Sequence, residues 1–435
     1  MRSQVKSDMS PLGSSVALHP GPLRGSISVP GDKSISHRAL MVGAALSQSL
    51  SIENLNPGRD VRATVEALIA LGVRIDRERA SVRVHGGRLR EPMGSIDCMN
   101  SGSTARMLLG VCAGADVRAR FEGDASLSKR PMEPVAAQLR AFGARIETTN
   151  GRLPLEIGGT PEIETRRFIL LSPSAQIKSA LLLAGVFSGT NVRISGDRFS
   201  RDHTERMLRY LGAEITWDGT VVELLRGPAS AHPIVVPGDF SAASFFIVAA
   251  ALTAGSDLTI RGVNVNPTRT GLLDILEAMG AAIERTQERE RSGEPIADVR
   301  VVPAPLRAVT IGQDMALRAI DELPLVAVAA AFASGDTKIT GIRELRTKES
   351  DRVAAIERML AAVGIGVEVA SNGLVIHGGA PRSRNVVVDT HGDHRTAMAT
   401  AALAAAAGPL AIDSDASIDV SFPAFFETLR SVQSA

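Results

Sequence analysis

Cysteine is nearly absent from this chain, at 2 in 435 residues, and no disulfide framework can be built from so few. Neither Cys98 nor Cys112 lies in a CxxC or His-rich setting suited to zinc, so no metal is expected and a reducing, cytoplasmic setting is. An excess of one charge is missing too: 48 basic side chains face 47 acidic ones, a formal net charge of +1. That balance argues against nucleic-acid binding through bulk charge, which neutralises several phosphates at once, and leaves room only for a locally basic cleft. Long apolar runs are lacking as well. The longest, residues 245–254 and 397–407, fall far short of the ~20 residues that span a bilayer, so they read as buried helices and no membrane partner is expected. The first two dozen residues carry Arg2, Lys6, Asp8, Pro11, Gly13 and Pro20 without a continuous apolar core. No signal peptide is expected, and residues 1–20 read as a flexible tail.

What remains is ordinary globular material, 44% hydrophobic and 22% charged, long enough for two or three domains at roughly 100–200 residues each. Inside it one phrase recurs: a large apolar residue, Gly, a small apolar residue, any residue, an apolar residue. It stands at Leu71-Gly72-Val73-Arg74-Ile75, Phe142-Gly143-Ala144-Arg145-Ile146, Leu211-Gly212-Ala213-Glu214-Ile215, Met279-Gly280-Ala281-Ala282-Ile283 and Val363-Gly364-Ile365-Gly366-Val367. Its glycines are 71, 69, 68 and 84 residues apart. Each copy follows a helical pattern and precedes strand-like alternation, so Gly is the left-handed residue that ends a helix before a strand. Five copies mark one reused αβ unit, and six units of about 70 residues fill the chain, the sixth ending on a helix-like stretch from Phe425.

A second repeat fits that count. Val29-Pro30-Gly31-Asp32 returns as Val236-Pro237-Gly238-Asp239, 207 residues or three units later. Pro and Gly punctuate elements and the following Asp can cap a helix, so the chain is expected to cross between two lobes at these points. The lobes would be residues 21–31 with 238–435, and residues 32–237, three units each, with the active site in the cleft between them.

The chemistry-bearing motifs gather at helix starts. Gly31-Asp32-Lys33-Ser34-Ile35-Ser36-His37-Arg38 follows a strand-like stretch and opens a helix, where free N–H groups and the helix dipole favour an anion. A P-loop needs GxxxxGK[ST]; here the spacing and the Gly-Lys junction both fail, which rejects ATP and GTP. Asn100-Ser101-Gly102-Ser103-Thr104-Ala105-Arg106, Ser172-Pro173-Ser174-Ala175-Gln176-Ile177-Lys178 and Ser200-Arg201-Asp202-His203-Thr204 open helices in the same way, and each serves equally well as a simple cap. Lys348 and Arg352, four apart, are expected on one helical face. Arg395 opens an Ala-rich helix, where a cation opposes the dipole and needs an anionic partner, either a ligand or Asp393. Asp321 and Glu349 are carboxylates placed to move protons, with pKa values expected to rise beside bound anions.

Taken in order, these motifs, with Gly123-Asp124-Ala125-Ser126-Leu127-Ser128-Lys129-Arg130-Pro131-Met132, Asn266-Pro267-Thr268-Arg269-Thr270-Gly271, Lys348-Glu349-Ser350-Asp351-Arg352 and Asp393-His394-Arg395, closely resemble the EPSP synthase family of the bacterial type over about residues 20–430. The resemblance implies an α/β (α+β) fold of two lobes, enolpyruvyl transferase-like, each lobe three βαβαββ units arranged as an inverse α/β barrel. It implies transfer of the carboxyvinyl group of phosphoenolpyruvate to the 5-hydroxyl of shikimate 3-phosphate, without cofactor or metal. Lys33, Ser34, Arg38, Ser174, Gln176, Arg201, Asp321 and Lys348 would bind shikimate 3-phosphate. Lys33, Gly102, Arg130, Gln176, Arg352 and Arg395 would bind phosphoenolpyruvate. Asp321, Glu349 and Lys33 would be catalytic. Gly102 would leave room near the phosphoenolpyruvate site, where glyphosate binds in the family. A monomer is expected, open until an anionic substrate offsets the repulsion among its cleft cations. Two departures stand out: no Lys precedes Phe422-Pro423, and Glu344 replaces an Asn found in some members. The nearest rival, UDP-N-acetylglucosamine enolpyruvyl transferase, uses a loop Cys that has no match here; a non-catalytic anion-binding protein would not need Asp321 and Glu349.

Overall fold

The structure, a computed structural model, describes residues 15–433 except 80, 161–162, 164–165 and 197–199. Its described strands form six sheets. One unit displays the plan: strand Ile96–Asp97, helix Gly102–Ala115, strand Arg118–Glu122, helix Glu133–Phe142, then the hairpin Ile146–Thr149 and Arg152–Gly158. The first two strands pair in parallel, and the hairpin lays its second strand antiparallel beside them. Units opening at Arg167–Ile169, Arg24–Ser28 and Thr310–Ile311 repeat this order. The five repeated glycines, 72, 143, 212, 280 and 364, have φ of 89°, 122°, 83°, 97° and 81°, as the helix-ending role requires.

Two units borrow strands. Leu50–Glu53 takes its parallel neighbour, Ile234–Val235, from the far end of its lobe. Leu410–Ile412 has no following hairpin, and Val16–Leu18 pairs antiparallel with it instead. The tail expected through residue 20 is therefore corrected for 16–18, because Leu18 is buried and the strand completes an open edge; residues 1–14 of that tail lie outside the described residues.

Two hydrophobic cores result. One is built from buried residues between Ile35 and Val236, the other from Leu18 to Val29 together with Phe240 to Val432. Their helices lie inside: Phe240–Leu252, apolar on every side, buries all of its residues but the last. Strands such as Arg152–Gly158 alternate exposed and covered positions and form the outer layer. Helices Gly102–Ala115 and Ala175–Ser188 touch backbone to backbone; a Cβ at Gly110 would lie 2.0 Å from the Ala180 carbonyl oxygen.

Between the cores the two Val-Pro-Gly-Asp copies meet each other. Gly31 bridges Gly238 antiparallel; the Asp32 N–H donates to the Pro237 carbonyl and the Asp239 N–H to the Pro30 carbonyl, each at 2.8 Å. Immediately afterwards Asp32 caps helix Lys33–Ala45 and Asp239 caps helix Phe240–Leu252. Two helix N-termini are thereby fixed at one point. Among the described residues no helix is long and apolar enough to cross a membrane.

Candidate active site

From that crossing the residues 31–38 motif enters the cleft. Lys33 donates its backbone N–H to the Asp239 carboxylate at 3.0 Å and ion-pairs through Nζ with Asp60 at 2.7 Å. One turn on, Arg38 is buried, donating to Thr204 and Ser179 hydroxyls at 2.7 Å and to the Ser34 carbonyl at 2.8 Å. Burial pushes its pKa down to about 10.

Two further helix starts converge beside it. Ser174 caps helix Ala175–Ser188, so Gln176 projects at the first turn. There its amide donates to Ser103 at 3.0 Å and accepts from Arg106 at 2.8 Å. Arg106 also donates to the Pro131 carbonyl, and among the described residues it has no carboxylate within ion-pair distance. Burial, then the neighbouring Arg130, pushes its pKa down to about 10. Arg130 donates to Asn100 at 2.7 Å and lies 3.5 Å from Glu349 of the other lobe. Gly102 is not beside spare room: a Cβ there would sit 2.9 Å from Arg106 Nη1 and 3.3 Å from Arg130 Nη1. The glycine admits two guanidinium groups to the backbone.

The opposite wall carries the carboxylates. Arg352 is fully buried and donates to Asp393 at 2.8 Å and Glu349 at 2.6 Å; among the described residues its Nη1 has no hydrogen-bond partner, and it lies 3.6 Å from Asp321. Asp393 also caps helix His394–Ala407 by accepting the Arg395 N–H. Arg395 reaches Ser241 at 2.6 Å and Asp321 Oδ2 at 3.7 Å. Across the cleft Arg201 donates to Asp321. A chain of contacts thus runs from Arg130 through Glu349, Arg352 and Asp321 to Arg201 and Arg395, with Gln176 held by Arg106 beside Arg130.

Two expectations need correction. Lys348 and Arg352 do not share a helical face: a short 3₁₀ turn, Arg343–Thr347, ends at Lys348, and Asp351 caps a new helix from Arg352. Lys348 instead pairs with Glu344 at 2.7 Å. Repulsion among cleft cations is also offset in part, because Lys33, Arg130, Arg201, Lys348, Arg352 and Arg395 each face a carboxylate, two of these pairs crossing between the two cores, while Arg38 and Arg106 still feel a neighbouring guanidinium. Burial pushes the Asp321 carboxyl up, but Arg395, Arg201, Lys348 and Arg269 outweigh it and hold the group well below the usual carboxylate range. Glu349 is held down likewise, burial being outweighed by Arg352 and Arg130. The packed neighbours of both acids are cations, which sets the direction.

Arg106, Asp60, Ser241 and Arg269 belong to this network without having been singled out as site residues. Arg106 had a signal, being one helical turn beyond Gly102 on the same face; Ser241 had one too, standing 207 residues after Ser34 in the repeated Val-Pro-Gly-Asp segment, and Asp60 had none. Both thiols are buried, and burial raises the Cys112 pKa to about 12, so neither offers a nucleophile. Among the described residues no cluster of three His, Cys, Asp or Glu side chains could hold a metal.

Comparison with known proteins identifies the family. Residues 18–429 match the family model described as EPSP synthase (3-phosphoshikimate 1-carboxyvinyltransferase). Proteins named 3-phosphoshikimate 1-carboxyvinyltransferase from Gloeobacter violaceus and Geobacillus kaustophilus are 47% and 43% identical, each over 94% of this chain and 97% and 98% of their own length. The solved EPSP synthase from Acinetobacter baumannii superposes with a TM-score of 0.84 at 37% identity, covering 96% of this chain and 98% of that one. The enolpyruvyl transferase NikO from Streptomyces tendae shares the fold, with a TM-score of 0.75 at 19% identity over 96% of this chain and 97% of that one. By sequence along nearly its whole length, and by a two-lobed fold of six repeated units, this chain belongs to the EPSP synthase family.

Proposed function

We propose that the chain catalyses transfer of the carboxyvinyl group of phosphoenolpyruvate to the 5-hydroxyl of shikimate 3-phosphate, releasing phosphate. The observation that carries this is the meeting of Asp321 and Glu349 with Arg130, Arg201, Arg352 and Arg395 between two lobes. Such a site can hold two multiply charged anions face to face and still keep carboxylates for proton transfer. Lys33, Ser34, Arg38, Ser174, Gln176, Arg201, Asp321 and Lys348 take shikimate 3-phosphate; Lys33, Gly102, Arg130, Gln176, Arg352 and Arg395 take phosphoenolpyruvate. The lobes are residues 21–31 with 238–435 and residues 32–237, a division supported by the two cores and the pairing at Gly31 and Gly238.

The ion pairs suggest how the acids are switched. Substrate phosphates and carboxylate compete for the guanidinium groups that hold Asp321 and Glu349 down. With those cations engaged elsewhere, burial dominates and both pKa values rise, which fits them to accept protons. Asp321 then accepts the proton of the 5-hydroxyl as its oxygen bonds to C2 of phosphoenolpyruvate, while Glu349, with Lys33, protonates C3. Loss of a C3 proton to the same base and departure of phosphate from C2 complete the exchange. Every proton is accounted for by a residue or by the leaving phosphate, so the chemistry calls for no redox step. We further propose that the enzyme acts as a cytoplasmic monomer.

The test is a steady-state assay of phosphate release from phosphoenolpyruvate. Release that depends on shikimate 3-phosphate supports the reading. Release that depends on UDP-N-acetylglucosamine instead would move the chain to the rival transferase, and release with neither acceptor would leave an anion-binding protein.

A further inference from the structure

Behind Arg395 lies a buried polar cluster that the reaction as described does not use. Arg269, from the residues 266–271 motif, is 2% exposed and Glu322 is 1% exposed. Glu322 Oε2 accepts from Arg269 Nη1 at 2.8 Å, and its Oε1 accepts the Ser241 hydroxyl. The same hydroxyl accepts from Arg269 Nη2 and from Arg395 Nη1. A hydroxyl has one proton and two acceptor lone pairs. Here the proton points at Glu322 and the lone pairs at the two guanidinium groups, so its rotation is fully specified.

We propose that Ser241, Glu322 and Arg269 are positioning residues that set the direction in which Arg395 presents its guanidinium to the carboxylate of phosphoenolpyruvate; this rests on the function proposed above. Arg395 needs such a device. It stands at the positive end of helix His394–Ala407, beside the buried Arg352, where the field disfavours a second cation. Its Nη1 is consumed by the Ser241 hydroxyl at 2.6 Å, the Asp321 carbonyl at 3.3 Å and Glu322 Oε1 at 3.5 Å. Its Nη2 is turned instead to the Asp321 carboxylate, 3.7 Å away, on the cleft side.

The cluster reaches further than Arg395. Glu322 directly follows Asp321 and begins helix Leu323–Ala331, so anchoring it also sets the Asp321 loop. Arg269 Nη2 is 4.0 Å from Asp239, whose carboxylate caps helix Phe240–Leu252 and accepts the Lys33 N–H. One buried guanidinium thus holds in register three groups assigned to the reaction. The Asn266 carbonyl accepts the Arg269 N–H at 2.8 Å, and Asn266 is itself fully buried, which keeps the loop carrying Arg269 in place.

The experiment compares wild type, Ser241→Ala and Glu322→Gln, each alone and in an Arg395→Ala background, with both KM values measured. Ser241→Ala frees Arg395 Nη1 and should raise the KM for phosphoenolpyruvate about tenfold, leaving that for shikimate 3-phosphate within about twofold. Glu322→Gln should give the same split. In the Arg395→Ala background both effects should vanish, because there is no guanidinium left to aim. Equal losses on both substrates, or the same tenfold loss without Arg395, would overturn the positioning role and leave a structural one. Absence of any shikimate 3-phosphate-dependent turnover in the wild type would instead overturn the functional reading, and this inference with it.

Discussion

Replacing Gly102 by Ala tests how tightly the phosphoenolpyruvate side of the cleft is built. The added Cβ would lie 2.9 Å from Arg106 Nη1, and ordinary contact begins near 3.4 Å, so the guanidinium must retreat by about 0.5 Å. That nitrogen donates to Gln176 at 2.8 Å, and a retreat of this size weakens a charged hydrogen bond. Losing much of such a bond costs about 1.5 kcal/mol, or roughly tenfold in affinity. Stability should move the other way. Gly102 opens a helix without the positive φ that resists a side chain, and Ala is favoured over Gly in helices by up to about 1 kcal/mol. The expected result is a KM for phosphoenolpyruvate raised about tenfold, a smaller rise for shikimate 3-phosphate, which shares Gln176, and a thermal midpoint that does not fall. Steady-state kinetics and a thermal melt check both. If glyphosate binds beside Gly102, its inhibition constant should rise by more than the KM. An unchanged KM for phosphoenolpyruvate with a lowered melting temperature would refute the reasoning, since it would place the strain in the helix rather than in the guanidinium pair.

Gly110→Ala should behave in the opposite way: its Cβ would meet the Ala180 backbone oxygen at 2.0 Å, which cannot swing aside. Urea unfolding should show a loss of about 1–3 kcal/mol or more, with both KM values unchanged in the folded fraction. Asp321→Asn removes the proton acceptor and leaves Arg201 without its partner across the cleft; a fall in kcat of about 100- to 10,000-fold is expected in single-turnover phosphate release. Acid should loosen the fold through Asp321 and Glu349, whose folded pKa values lie well below their ordinary 3.8 and 4.5. Their contribution is present above those ordinary values and is lost as pH falls through the folded ones. Stability measured by urea between pH 6 and pH 3 should therefore decline mainly below about pH 4, and Glu349→Gln should make that decline shallower by about one proton. An equal slope in the variant would assign the acid sensitivity to other groups.

Much of the site was legible because helix starts are written in local chemistry. Asp32, Ser101, Ser174 and Asp393 each accept from backbone N–H groups two or three residues ahead, a relation visible along the chain. The same rule, applied to Asp351, marks the helix start that separates Lys348 from Arg352; the four-residue spacing concealed it by imitating a continuous helix. The carboxylate partners were not legible. Arg201 and Asp321 are 120 residues apart, and Ser241 and Arg395 are 154 apart, with nothing in either neighbourhood to name the other. Strand exchange was hidden for a similar reason: Val16–Leu18 is too short to declare itself, and only the open edge of Leu410–Ile412 gives it a place.

The sequence by itself determined the number of repeated units, the residues that end and begin their helices, the two crossings, and a set of motifs specific to one family. All of these follow from near-neighbour stereochemistry, above all from glycine's access to positive φ and from capping of free N–H groups. Tertiary structure alone decided the electrostatics. The near-zero net charge proves to be a local balance, in which cleft cations from both lobes face carboxylates brought from distant units. Whether Asp321 and Glu349 are held down or pushed up depends on burial and on distances of a few ångströms, and those distances exist only once the six units have closed on each other.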